Sequence, residues 1–224
     1  MSPFRVAFYW GVRTLAWPVT RLYVRMKVTG VEHVPSSGCC IVVANHTSYA
    51  DAVVLGSACP RRLEFLITDP IYRLLRLRWF YYMMGAIPVA PESADPGALK
   101  RALRVLGRGG AIGIFPEGQR VTDVEIGSGR GGVGLLAART GAVVVPAAIV
   151  GARRVMPVGA IFPRPYRIHV VFGEPLHFPA WEGKRPPREV VRRFSESVME
   201  SVAGLMHRVG PMPAGGDRFR TTGA

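Results

Sequence analysis

His46 and Asp51 stand five positions apart in the run NHTSYAD (45–51), with apolar residues on both sides. A histidine and a carboxylate at that spacing can do proton chemistry. The imidazole serves as a general base. The carboxylate accepts a hydrogen bond from the other ring nitrogen, fixes the tautomer and stabilises the imidazolium. A histidine kept for structural reasons would satisfy the same pattern, so its surroundings carry the argument. CCIVVAN (39–45) reads as a buried strand and AVVLGSA (52–58) as a helix opening after Asp51. Such strand-to-helix edges of an α/β sheet are where ligands sit. Ser48, two residues after the histidine, fits either a nucleophile or a cap.

A second run, FPEGQR (115–120), follows another strand, AIGIFP (111–116). Gly118 lets backbone approach a ligand closely, and Arg120 offers a planar fork to phosphate oxygens. Glu117 and Arg120 flank Gly118, so a surface turn with a salt pair fits this run equally well.

The elements that must position these residues alternate. Strands are expected at 63–68, 86–90, 142–150 and 167–173, and helices at 70–84, 95–110, 131–140 and 187–208. Asp95 and Pro96 punctuate the start of one helix and Gly107 its end. Pro146 inside a strand points to an edge or a bulge. The alternation argues for an α/β fold, a mixed central sheet flanked by helices.

With 224 residues, 49% hydrophobic and 20% charged, the chain can bury one sizeable core. Three segments are expected: an interfacial helix over 1–27, a domain over 28–208 and a disordered tail over 209–224. Cys39, Cys40 and Cys59 show neither metal spacing nor a disulfide framework and read as small buried residues. The formal net charge of +14 calls for an anionic partner: nucleic acid, lipid headgroups or phosphorylated substrates.

The N-terminus narrows that choice. Phe4, Phe8, Val12, Leu15, Val19 and Leu22 fall on one helical face, and Arg5, Arg13, Arg21 and Arg25 avoid it. Trp10, Trp17, Tyr9 and Tyr23 flank the arginines, Pro18 should kink the helix, and no acidic residue precedes Glu32. This pattern suits an amphipathic, membrane-facing helix lying in the interface. The arginines interrupt any spanning run, and there is no signal-peptide pattern.

Together, the two motifs resemble those of the glycerolipid acyltransferase family, the PlsC-like 1-acylglycerol-3-phosphate acyltransferases. Asn45, His46, Ser48 and Asp51 match its N-H-x-S-x-x-D block. Phe115, Pro116, Glu117, Gly118 and Arg120 match its F-P-E-G-x-R block, with Val121 where Ser or Thr is usual. VVVPAAIVG (143–151) resembles a further block, VTGVEHVPSSG (28–38) the family's lead-in and VVFGEPL (170–176) its closing strand, so the likeness covers about residues 28–176. One block departs. GAIPVAPES (85–93) has Ala90, Pro91 and Glu92 where the family carries an arginine. Lys100, Arg101 and Arg104 could compensate or form a solvated face.

The resemblance implies acyl transfer from a thioester, acyl-CoA or acyl carrier protein, to a hydroxyl of 1-acylglycerol-3-phosphate (lysophosphatidic acid), giving phosphatidic acid for phospholipid biosynthesis. His46 would be the base and Asp51 its orienter. Asn45, Ser48, Glu117, Gly118, Arg120 and Arg130 would bind substrate. No metal or organic cofactor is expected. The expected setting is the cytoplasmic face of the cell membrane, with a peripheral or monotopic attachment to an anionic surface. A different lysolipid or glycolipid acceptor, or a thioesterase-like hydrolase, would use the same pair. A nucleic-acid-binding module would explain the charge, but no such motif occurs, and none is expected as a partner.

Overall fold

The computed structural model describes residues 2–48, 50–68, 78–89, 95–116, 132–157, 160, 162–181 and 185–210. Its strands are β1 (Lys27–Thr29), β2 (Cys40–Ala44), β3 (Leu63–Thr68), β4 (Ile87–Val89), β5 (Ala111–Ile114), β6 (Val143–Val150) and β7 (His169–Phe172). The helices are α1 (Pro3–Pro18), α2 (Asp51–Ala58), α3 (Arg78–Met84), α4 (Pro96–Leu106), α5 (Gly132–Thr140), α6 (Ala152–Val155) and α7 (Arg188–Val209). The strands form one sheet in the order β1-β7-β6-β2-β5-β3-β4. Every pair is parallel except β6 with β7. The fold is therefore α/β with a mixed sheet.

β2 lies at the centre and is buried along its whole length. A strand covered on both sides must be apolar throughout, and CIVVA is. Cys40, Val42 and Ala44 face one layer with Val54 and Leu55 of α2 and Ala152 and Val155 of α6. Ile41 and Val43 face the other, with Ala102 of α4, Leu136 of α5 and Val198 and Val202 of α7. Burial pushes the thiols of Cys40 and Cys59 up to about 12 and about 11, which keeps them protonated and unreactive. The Asp95 carboxylate accepts from Gly97 N and Ala98 N, capping α4 as its position suggests. Lys100, Arg101 and Arg104 lie on the exposed face of α4, where Arg101 donates to Pro88 O and pairs with Asp95.

Pro146 is not on an edge strand. β6 is interior, with β2 on one side and β7 on the other. Val144 exchanges both backbone bonds with Leu176, and Pro146 O accepts from Gly173 N at 2.8 Å, so the missing N–H of Pro146 faces the β7 side. Pairing there jumps from Val144↔Leu176 to Ala147↔Phe172, setting three residues against two. This bulge absorbs the absent donor.

α1 packs against α2 and α3 at the outside of the α2 layer. Its anchor is Tyr9, which is buried and accepts from Leu63 N at 3.2 Å. Phe8 meets Trp79 and Phe80 edge-on, and the Arg5 guanidinium donates to Tyr82 O and covers the Tyr82 ring. Pro18 does not stop the chain's winding. The helix continues into a π-helical turn over Val19–Tyr23, the wider pitch accommodating the lost backbone donor. The expected apolar face is divided: Phe8 packs on α3 and Val12 is partly covered, whereas Phe4, Leu15 and Leu22 are 72%, 76% and 74% exposed. Among the described residues no helix is long and apolar enough to cross a membrane. The residues expected as a disordered tail lie almost wholly outside the described ones, as do 70–77 of the helix expected over 70–84.

Candidate active site

The carboxyl ends of the parallel strands define one edge of the sheet, and β2 delivers His46 to it two residues past Ala44. The turn into α2 then folds back so that Asp51, fully buried, faces the histidine. His46 Nδ1 lies 2.9 Å from Asp51 Oδ2. The same oxygen accepts from the backbone N–H groups of Thr47 at 2.6 Å and Ser48 at 2.7 Å. Three donors converging on one oxygen hold the carboxylate as an acceptor, so Nδ1 carries the proton and the imidazole's basic lone pair sits on Nε2. The histidine side chain is 19% exposed against 0% for the aspartate. The pair is thus a reachable base resting on an enclosed orienter.

Asn45 and Ser48, which flank His46, both bond backbone groups. Asn45 is buried; its amide donates to Ile149 O at 3.0 Å and accepts from Ile149 N at 2.7 Å. The side chain thereby clips the loop carrying His46 to the end of β6. Ser48, also buried, donates its hydroxyl to Met156 O at 3.0 Å and receives Ala50 N at 3.2 Å. A hydroxyl committed to a carbonyl is a brace, which agrees with the capping reading and not with a nucleophile. Through these bonds both side chains brace the loop that carries His46.

A further support was not legible in the motifs. The His46 ring stacks on Phe115, with centroids 4.5 Å apart and planes 21° apart. Phe115 in turn stacks on Phe65 of β3 at 5.8 Å and 6°. Phe65 lies flat over β5 because residue 113 is glycine: a Cβ there would stand 2.4 Å from the Phe65 ring. The only sequence signal was that glycine inside an otherwise apolar strand, a mark of close approach. Glu117, Gly118, Arg120 and Arg130 lie outside the described residues, as does the stretch Ala90–Pro91–Glu92.

Strand-edge placement and a histidine–aspartate pair with Nδ1 toward the carboxylate define a proton-transfer site on an α/β sheet. The family model described as Acyltransferase matches residues 25–150, more than half of the chain, and the chain belongs to the acyltransferase family. A chloroplastic 1-acyl-sn-glycerol-3-phosphate acyltransferase of Arabidopsis thaliana is 30% identical over 184 residues, 79% of this chain and 51% of the relative. A chloroplastic enzyme of the same name from Brassica napus is 32% identical over 62% of this chain and 41% of its own length. This chain therefore spans about half the length of those relatives. The 1-acyl-sn-glycerol-3-phosphate acyltransferase of Bacillus subtilis (strain 168) is 24% identical over 82% of this chain and 89% of its own. The crystal structure of the 1-acyl-sn-glycerophosphate acyltransferase PlsC from Thermotoga maritima superposes with a TM-score of 0.74 at 21% identity, covering 94% of this chain and 83% of that one. The fold is shared with that enzyme.

Proposed function

We propose that this acyltransferase moves a fatty acyl group from a thioester to the free hydroxyl of 1-acylglycerol-3-phosphate. The observation that carries the reading is the His46–Asp51 pair at the sheet edge. In the reaction, His46 Nε2 takes the proton of the acceptor hydroxyl as its oxygen attacks the thioester carbonyl. The new C–O bond forms, the C–S bond breaks, and the departing thiolate takes the proton back from the imidazolium. Asp51 holds the ring and stabilises its positive charge in between. A thiol is a good leaving group, so one base suffices and no acyl-enzyme is needed. The relatives' names point to lysophosphatidic acid as acceptor, with Arg120 and Gly118 in the motif that would receive its phosphate and Glu117 and Arg130 as further candidates to bind it. The donor is acyl-CoA or acyl carrier protein. The exposed apolar face of α1, rimmed by arginines, would rest on an anionic membrane surface at the cytoplasmic side.

A second acceptor class competes for a stated reason: Ala90, Pro91 and Glu92 stand where an arginine would share the phosphate. The deciding experiment incubates the pure protein with acyl-CoA and, in parallel, lysophosphatidic acid, monoacylglycerol, a lysophosphodiester or no acceptor, with products identified by mass spectrometry. Phosphatidic acid as the main product is expected. Preference for the phosphodiester would reassign the acceptor, and free fatty acid alone would make the protein a thioesterase.

A further inference from the structure

Beyond the His46 site, the same sheet edge carries a basic cavity. β2 and β6 are parallel, so the chain leaving β6 into α6 emerges at the edge where His46 sits. β7 is antiparallel to β6, so the chain entering β7 arrives at that edge too. Arg164 N bonds to Val155 O at 2.7 Å and closes the two segments together. Between them lies an open cavity of about 680 Å³ lined by Arg153, Arg154, Pro157, Arg164, Pro165 and Tyr166. Arg154 donates to the Tyr166 hydroxyl, which keeps its guanidinium at the wall. The cavity adjoins the active-site loop, since Ser48 is bonded to Met156, the residue before Pro157.

Two independent observations indicate what meets this surface. The first is charge. Residues 126–173 contain no Asp or Glu and six arginines, a match to the acid-free N-terminus before Glu32. The second is placement. Tyr23 donates its hydroxyl to Pro163 O at 3.1 Å, tying the cavity's rim to the end of the N-terminal helical segment. Leu22 on that segment is 74% exposed, and Phe162 on the rim is 81% exposed. Arginines beside exposed apolar side chains suit a lipid interface, where the cations meet phosphates and the apolar groups enter the acyl boundary. A soluble nucleotide or an acidic carrier protein would account for the arginines but not for Phe162 joined to the α1 surface.

We infer that the Arg153–Arg154–Arg164 cavity takes the phosphate of an anionic phospholipid headgroup in the bilayer, with Phe162 inserted beside it. It forms a second membrane contact continuous with α1 and next to the active-site loop. The inference rests on the membrane-docking part of the reading above. Two contacts on either side of Tyr23 would fix the orientation of the sheet edge toward the lipid, which one helix alone does not.

The test uses the full chain and sedimentation with vesicles of phosphatidylcholine, pure or mixed with phosphatidylglycerol. The variant R153Q/R154Q should lose roughly ten- to thirtyfold in partition to the mixed vesicles, on the scale of one arginine per surface contact. Its partition to pure phosphatidylcholine should stay as in wild type. Phe162→Ser should weaken binding to both vesicles, and Phe162→Leu should restore it. Equal partition of R153Q/R154Q and wild type to mixed vesicles overturns the inference. Equal partition joined to a lost affinity for acyl-CoA would assign the cavity to that soluble ligand. Vesicle binding needs no turnover, so this inference and the base role of His46 fail separately. Turnover of a water-soluble short-chain acceptor by R153Q/R154Q should match wild type.

Discussion

Between Asn45 and Asp51, the Asn45 amide, the Ser48 hydroxyl and Asp51 Oδ2 are tied to named partners on β6, at the residue after α6 and in the turn itself. Along the outer face of α1 and the turn that follows it, Phe4, Leu15, Trp17 and Leu22 meet solvent, and α1 buries one residue, Tyr9, against the domain. On the proposed function, the contrast follows from what each region would have to do. A general base has to be held before the substrate arrives, because a misplacement of an ångström costs rate. A surface that docks on lipid has to leave apolar area uncovered in the free protein, because that area is what the membrane buries. Substitutions in the first region should therefore change turnover or folding, and substitutions in the second should change where the protein is found.

The largest effect is expected at the base. His46→Ala should lower turnover by roughly 10²- to 10⁴-fold, the usual worth of a positioned base. Its melting temperature should stay close to wild type, since the ring is partly exposed. Asp51→Asn should cost a similar factor by offering a donor where Nδ1–H needs an acceptor. Steady-state rates and thermal melts of the two variants check this. A His46→Ala protein within tenfold of wild type would remove the base from the mechanism.

Next comes the clip. Asn45→Ala strands both backbone groups of Ile149 in the core, and a buried group left unpaired costs about 1–3 kcal/mol. Urea unfolding should show a loss of about 2–4 kcal/mol on that basis. Turnover should fall as well, because the loop carrying His46 loses its tie to β6. A variant that loses activity while keeping full stability would mean that Asn45 touches substrate after all.

Gly113→Ala should act more gently and at a distance. The added methyl meets the Phe65 ring at 2.4 Å, and overpacking of this kind costs about 1–3 kcal/mol. The displaced ring carries Phe115 with it, and Phe115 carries the imidazole. The rate constant at saturation should drop several-fold with little change in KM, and Phe65→Leu added to Gly113→Ala should recover part of it. Failure of the second substitution to recover anything would detach the stack from the base.

These supports explain what could and could not be read from the chain. β2, α2 and α4 were legible because local signals set them: an unbroken apolar run, and an Asp–Pro start. Bringing His46 to Asp51 was legible because both lie within one turn of chain. Ile149 and Met156 lie 104 and 108 residues from the side chains they hold, and no local pattern announces such pairs. The backbone partners of Asn45 and Ser48 therefore had no signal in the sequence. For Pro146 the sequence left an edge and a bulge open, and the bulge that decides between them belongs to its neighbour. The apolar periodicity of α1 was plain, but periodicity alone does not say whether a face turns inward. Tyr9, on the opposite side, is buried, and of the apolar face Phe8 packs on α3.

The smallest effect on folding, and the sharpest contrast with the Asn45 clip, is expected on α1. Leu15→Ser with Leu22→Ser removes two side chains that touch water already, so the urea midpoint should move by no more than the equivalent of about 0.5 kcal/mol. Membrane binding should respond far more. Burying a leucine side chain is worth about 1.5–3 kcal/mol, and even partial insertion of two should weaken vesicle partition by tenfold or more. Turnover of a monomeric, water-soluble acceptor should stay near wild type, while turnover of the same headgroup presented in vesicles should fall with partition. Tyr9→Phe is the control from the other face of the same helix. It removes the oxygen that accepts from buried Leu63 N, and so should cost about 1 kcal/mol of stability with vesicle partition unchanged. If the double serine variant melts early instead, its leucines belong to the fold and the exposed face is not a docking surface. If it folds normally and binds vesicles as well as wild type, the lipid contact lies elsewhere. Only normal folding joined to lost partition keeps the two regions as different as their burial makes them.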